Sequence, residues 1–179
     1  MASEPAAADV PDPPIQGAMA CRDALRTLLV GLAALPSAAS QADPPARPGQ
    51  VVCLDHHFAD WPFDDPAVQQ ALAVWLRGPG RRLQLIGVDF ETTAHGLPRF
   101  SRWRRDFAHR IDAWCPVDGD LPIVLRGLLV GSLAWQRLDR PQPQLRRITN
   151  LVRVAGWQAD IADFLQRCAP TWPVTTLGL

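Results

Sequence analysis

The sequence predicts an α/β fold: a mixed central sheet flanked by helices, parallel at first and antiparallel later. Three observations carry that prediction. Short apolar runs at 50–54, 82–90 and 111–117 are apolar enough for strands covered on both faces. Helical periodicity at 66–77 and 97–109 separates them, as in parallel β-α-β units. Beyond residue 122 the strand-like runs 123–130, 133–138 and 148–154 follow one another before a last helix at 157–169. The predicted order is β-α-β-α-β-β-β-β-α.

Along the chain, residues 1–17 are rich in Ala, Pro and acid and read as a disordered tail, with a single α/β domain over 18–179. Ala24, Leu25, Leu28, Leu29 and Leu32 recur at helical spacing opposite Arg22, Asp23 and Arg26, which predicts an amphipathic helix ending near Pro36. The alternative is a secretory signal over 19–42, with Ser40-Gln41-Ala42 as its cleavage site. The acidic leader before Met19 and the interruption by Asp23 favour the helix and a cytoplasmic chain. No run reaches the ~18 apolar residues of a membrane span, so no membrane partner is expected. Residues 41–49 form a Pro-rich linker. The helix at 66–77 has Pro66 at its start, Asp64 or Asp65 as cap, and Gly78-Pro79-Gly80 as its stop. Gly127 and Gly131 serve as turn residues, and the apolar C-terminal stretch PVTTLGL suits an edge strand or a docking tail.

Composition excludes several functions. Formal charge is zero, so there is no global electrostatic attraction to nucleic acid or anionic lipid. All 18 basic residues are Arg, which rules out a Schiff base and a P-loop lysine. Cys21, Cys53, Cys115 and Cys168 form no CxxC pair and read as buried reduced thiols. No Gly-rich phosphate loop or nucleophile elbow is present, and no cofactor is expected.

Two stretches carry candidate chemistry. The first is DHHFADWPFDD, directly after the strand at 50–54, where Asp55, His56, His57 and Asp60 stand at the lip on which α/β proteins bind ligands. Adjacent histidines in extended chain point to opposite faces, so at most one joins Asp55 on a given side. The plainer reading has Asp55 or a histidine bonding loop backbone while Phe58, Trp61 and Phe63 fold the loop over the sheet. The second is the helix at 97–109, where Arg99, Arg102, Arg104 and Arg105 flank Phe100, Trp103 and Phe107. That pattern fits a solvated helix with an aromatic core stripe, or alternatively a phosphate or nucleic-acid contact.

Two families share features with these stretches. The Asp55-His56-His57 triplet after a strand resembles the namesake motif of the Asp-His-His phosphoesterases, which implies a two-metal phosphoester hydrolase. The Asp-x-Asp expected upstream is missing, and Asp118-Gly119-Asp120 falls downstream of the triplet. The element order and Leu128-Leu129-Val130-Gly131-Ser132 resemble one half of a phospholipase D-like domain, over about 20–172. Active members of that family carry His-x-Lys-x4-Asp before the Gly-Ser turn. The corresponding residues here are Val117, Gly119 and Val124, and none can perform that chemistry. The resemblance therefore implies a degenerate, non-catalytic half like other small bacterial domains of that type. Its expected role is a binding or assembly module whose partner is another protein or a second copy, as active halves pair. A metal-dependent hydrolase at Asp55, and a nucleic-acid binder at Arg99–Arg110, are the alternatives.

Overall fold

Local chemistry builds most of the elements where the pattern places them. In the computed structural model, which describes residues 12–34, 49–139 and 141–173, the strands are β1 (Ile15–Gln16), β2 (Gln50–Leu54), β3 (Arg82–Ile86), β4 (Ile111–Pro116), β5 (Gly127–Val130), β6 (Leu133–Leu138), β7 (Gln144–Ile148) and β8 (Cys168–Pro170). The helices are α1 (Ala18–Gly31), α2 (Pro66–Leu76), α3 (Phe90–Gly96), α4 (Pro98–Trp103) and α5 (Leu151–Leu165). The strands form one sheet in the order β1-β7-β6-β5-β2-β3-β4-β8. β2, β3 and β4 run parallel, and every other pairing is antiparallel. The fold is thus mixed α/β, with the parallel strands first and the antiparallel ones mostly later.

Strand alternation divides the core into two layers. Val51, Cys53, Leu83, Leu85, Ile111 and Ala113 face one side, packing with Leu25, Leu29, Leu72 and Phe100 from α1, α2 and α4. Val52, Leu54, Ile86 and Leu129 face the other side, under Val154, Trp157, Ile161 and Phe164 of α5. The spacing of those four α5 residues is that of one helical stripe. The first face is therefore covered by several helices, and the second by one helix and a loop. α1 belongs to the core: Cys21, Leu25 and Leu29 are buried. A chain cleaved after residue 42 would lose that layer, although the residues around the candidate cleavage site lie outside the described ones. Among the described residues no helix is long and apolar enough to cross a membrane.

Several boundaries differ from the sequence expectation, each for a local reason. Ile15 and Gln16, assigned to the tail, pair with Leu145 and Gln144 of β7; residues 1–11 lie outside the described residues, as do the linker positions 41–48 and the C-terminal 174–179. β3 stops at Ile86, not Phe90, because Gly87 passes against Phe58 and the Asp55 carbonyl, and Asp89 then caps α3 by accepting from the Thr92 amide. The single helix expected at 97–109 is replaced by α4 and a 3-10 turn, Arg104–Phe107, with Leu97 outside the helical region before Pro98. Residues 123–125 form a 3-10 turn after Pro122 rather than the head of a strand. The strand expected at 148–154 is the start of α5, which Asn150 caps by accepting from the Arg153 amide at 3.1 Å. The preceding strand is β7, hidden in the sequence by Arg146 and Arg147.

Two glycines are required by geometry. Gly131 (φ 56°) opens the two-residue turn that pairs Val130 with Leu133. Gly127 (φ 153°) lies so close to β6 that a Cβ would sit 2.0 Å from the Trp135 carbonyl oxygen. Gly127→Ala is expected to destabilise the protein by more than about 3 kcal/mol in urea unfolding, since backbone must move to relieve that contact.

All four cysteines are free. Cys21 and Cys53 are buried as expected, whereas Cys115 and Cys168 are only half-buried. Burial raises the thiol pKa of each, most strongly at Cys53. With a disulfide reagent at pH 8, Cys53 is expected to stay unmodified until denaturant is added, read by mass spectrometry; comparable labelling in the native protein would contradict this burial.

Candidate functional site

Asp55 follows the last residue of β2, and its amide continues the parallel ladder by donating to the Ile86 carbonyl at 3.1 Å. Its side chain is 1 % exposed. Leaving a carboxylate there would be costly without compensation. The antiparallel neighbours provide it. β5 begins beside Leu54, which puts Arg126 next to the carboxylate, and β6 returns alongside with Arg137 and then Asp139. Oδ1 accepts from the His56 amide at 2.8 Å, from Arg126 Nε at 2.8 Å and from Arg126 Nη2. Oδ2 accepts from the Trp61 indole and from Arg137 Nη1, each at 2.7 Å.

The network closes on a second acid. Asp139 accepts from Arg126 Nη1, and from Arg137 Nε at 3.3 Å. Two guanidinium groups are therefore balanced by two carboxylates, with Asp60 at the rim 3.6 Å from Arg137. Burial alone would lower the Arg126 pKa, but the carboxylates of Asp55 and Asp139 outweigh it and hold the group above its ordinary value. Both guanidinia are committed within the cluster, and both Asp55 oxygens are occupied by protein donors. This constellation positions chain; it has no lone pair left at Asp55 to bind a metal or accept a proton from a substrate.

The two histidines diverge, as their adjacency predicts. Their rings lie at 87° with centroids 6.1 Å apart. The His56 carbonyl accepts from the amides of Val88 and Asp89, locking this loop to the end of β3. His57 Nδ1 is buried without a hydrogen-bond partner. Asp89 is held below the usual carboxylate range chiefly by the Thr92 hydroxyl and amide. Asp55 and Asp60 thus meet at Arg137, while His56 and His57 do not join them. Among the described residues no three His, Cys, Asp or Glu converge in a way that could hold a metal ion.

The rest of the loop is structural. Phe58, Trp61 and Phe63 are fully buried. Trp61 stacks on Phe63 (5.5 Å, 13°) and Phe63 on Phe100 of α4 (4.7 Å, 17°). The last two acids serve different helices. Asp65 caps α2 by accepting from the Ala67 amide and pairs with Arg26 of α1 at 2.7 Å, and the Arg26 hydrogen bond is the main cause that lowers its pKa. Asp64 accepts from the Phe100 amide of α4 at 2.7 Å.

The arginine cluster is divided. Arg99, Arg102 and Arg105 are exposed, but Arg104 is only 4 % exposed. Its guanidinium lies 3.9 Å above the Trp172 ring and donates to the Trp172 carbonyl. Burial pulls its pKa down to about 10. Arg104 is therefore a packing residue and is removed from the candidate phosphate contacts.

Arg126, Arg137 and Asp139 were not singled out by sequence reasoning, because they lie 71 to 84 positions from Asp55 and only strand pairing brings them near it. A signal did exist: an arginine inside the strand at 133–138, with an acid two positions on, needs a buried partner. Compared with known proteins, the chain matches no family model and no curated protein.

The cluster makes a direct stability statement. Asp55→Ala is expected to cost about 3–5 kcal/mol, because two guanidinia in a water-poor site keep only the Asp139 carboxylate between them. Asp60→Ala, at an exposed rim position, is expected to change stability by less than about 0.5 kcal/mol. Chemical denaturation of the two variants checks the contrast.

Proposed function

We propose that the chain is a degenerate phospholipase D-like half acting as a non-catalytic binding or assembly module, with a second copy of itself as partner. The observation that carries this reading is the loop after β4. Where active members of that family carry their motif, this chain has Val117, Gly119 and Val124. Val117, Ile123 and Val124 are 79 %, 56 % and 62 % exposed. Three aliphatic side chains held in water on one loop favour contact with another surface. Asp55 supports the same reading, because its carboxylate is consumed by Arg126 and Arg137. Pairing of active halves in the family makes a second copy the first partner to test.

Light scattering at tens of micromolar is expected to give about twice the 19.7 kDa chain mass. Ile123→Asp/Val124→Asp is expected to return the monomer mass without lowering the melting temperature. A wild-type monomer at every concentration would overturn self-assembly, and turnover of a simple phosphodiester abolished by His56→Ala/His57→Ala would overturn the non-catalytic reading.

A further inference from the structure

The second face of the sheet is covered by α5 alone near the first residues of β2 and β3, and a half-open cleft of about 390 Å³ remains there. Its floor is apolar, with Val52 and Leu129 from the sheet and Ile161 from α5. Its polar side chains are amides: Gln50, Gln84, Gln158 and Gln166 line it, and no charged side chain does among the described residues. Gln50 and Gln84 project from adjacent parallel strands on the same face, and the Gln50 amide donates to the Gln84 carbonyl oxygen. That bond orders both side chains. It leaves the Gln50 oxygen as an acceptor and the Gln84 nitrogen as a donor at the cleft wall. If both amides were flipped, the remaining pair would still be one acceptor and one donor. Gln158 is anchored separately, its amide donating to the Gly131 carbonyl at 2.9 Å.

We propose that this cleft binds a neutral, planar ligand through a lactam edge, the adjacent N–H and C=O found on a nucleobase. The lactam N–H donates to the free glutamine oxygen and its C=O accepts from the free glutamine NH2. The ring faces lie against the aliphatic floor and α5, and among the described residues no cation lines the cleft to retain a phosphate. The cleft's volume exceeds the ~150 Å³ that a benzene-sized ring occupies in an apolar cavity. Few precisely placed polar groups over an apolar surface are the usual composition of a small-molecule site. This site is independent of self-assembly, since the loop 117–124 contributes no residue to it.

The test uses uracil as probe in ligand-observed NMR and calorimetry on the full chain. Saturable binding in the millimolar range or tighter is expected. 1,3-Dimethyluracil, whose N–H groups are blocked, and the variant Gln84→Met are each expected to weaken binding about tenfold, the effect of one lost hydrogen bond. Gln50→Met, at the first residue of the strand, repeats the test should Gln84→Met fail to fold by circular dichroism. Uridine run in parallel separates the sources of the base: tighter binding assigns the cleft to nucleosides, weaker binding to free bases. Absence of saturable uracil binding, or equal binding of the dimethylated ring, overturns the proposal.

Discussion

A single buried carboxylate, Asp55, governs how the two halves of the sheet meet. Its desolvation is offset by donors from three places: its own loop through His56 and Trp61, the start of β5 through Arg126, and β6 through Arg137. None of these groups is stable in a dry site without the others, since an unpaired buried charge costs far more than a paired one. The parallel strands β2–β4 are joined to the antiparallel strands β5–β7 at the β2–β5 ladder. Asp55 and Arg126 sit at the end of that ladder, so the ion pair favours one register of β5 on β2. Gly127, the next residue, is free of a side chain because β6 passes directly against it.

The acids that follow extend the same role outward. Asp64 holds the start of α4, and Asp65 holds α2 and reaches α1 through Arg26. Between them the aromatic side chains of Phe58, Trp61 and Phe63 continue into Phe100, so the first layer of helices is tied to the sheet by one eleven-residue stretch. A run that resembles a catalytic signature in sequence is thereby a junction in space. Much of the charge it carries is neutralised inside the fold, and the loop at 117–124 and the glutamine cleft are separate surfaces.

Those two surfaces differ in kind. The loop presents the aliphatic groups of Val117, Ile123 and Val124 beside the exposed acids Asp118 and Asp120. The cleft presents a donor–acceptor pair over an apolar floor and so discriminates by hydrogen bonding, where a missing partner is penalised more than an extra contact is rewarded. The cleft exists because, among the described residues, α5 is the α-helix on the second face, and its stripe from Val154 to Phe164 crosses the sheet without reaching the first residues of β2 and β3 completely.

The sequence by itself determined the class of fold, the parallel-then-antiparallel order, α1, α2, and the loop after β2 with its aromatic cap. These rest on periodicity, capping residues and short-range chemistry, which are readable within a dozen positions. It also anticipated the divergence of His56 and His57. It read the closing helix but misjudged where α5 starts, because Val152 and Val154 favour a strand locally while the cap at Asn150 and the stripe through Trp157 and Phe164 select a helix. It could not divide the arginines: Arg104 is withdrawn by Trp172, 68 positions away. Tertiary structure alone decided that Asp55 faces Arg126 and Arg137 instead of solvent, and that Gln50 and Gln84 meet in one cleft. Both results depend on which strands pair and in what register, and no local propensity encodes that.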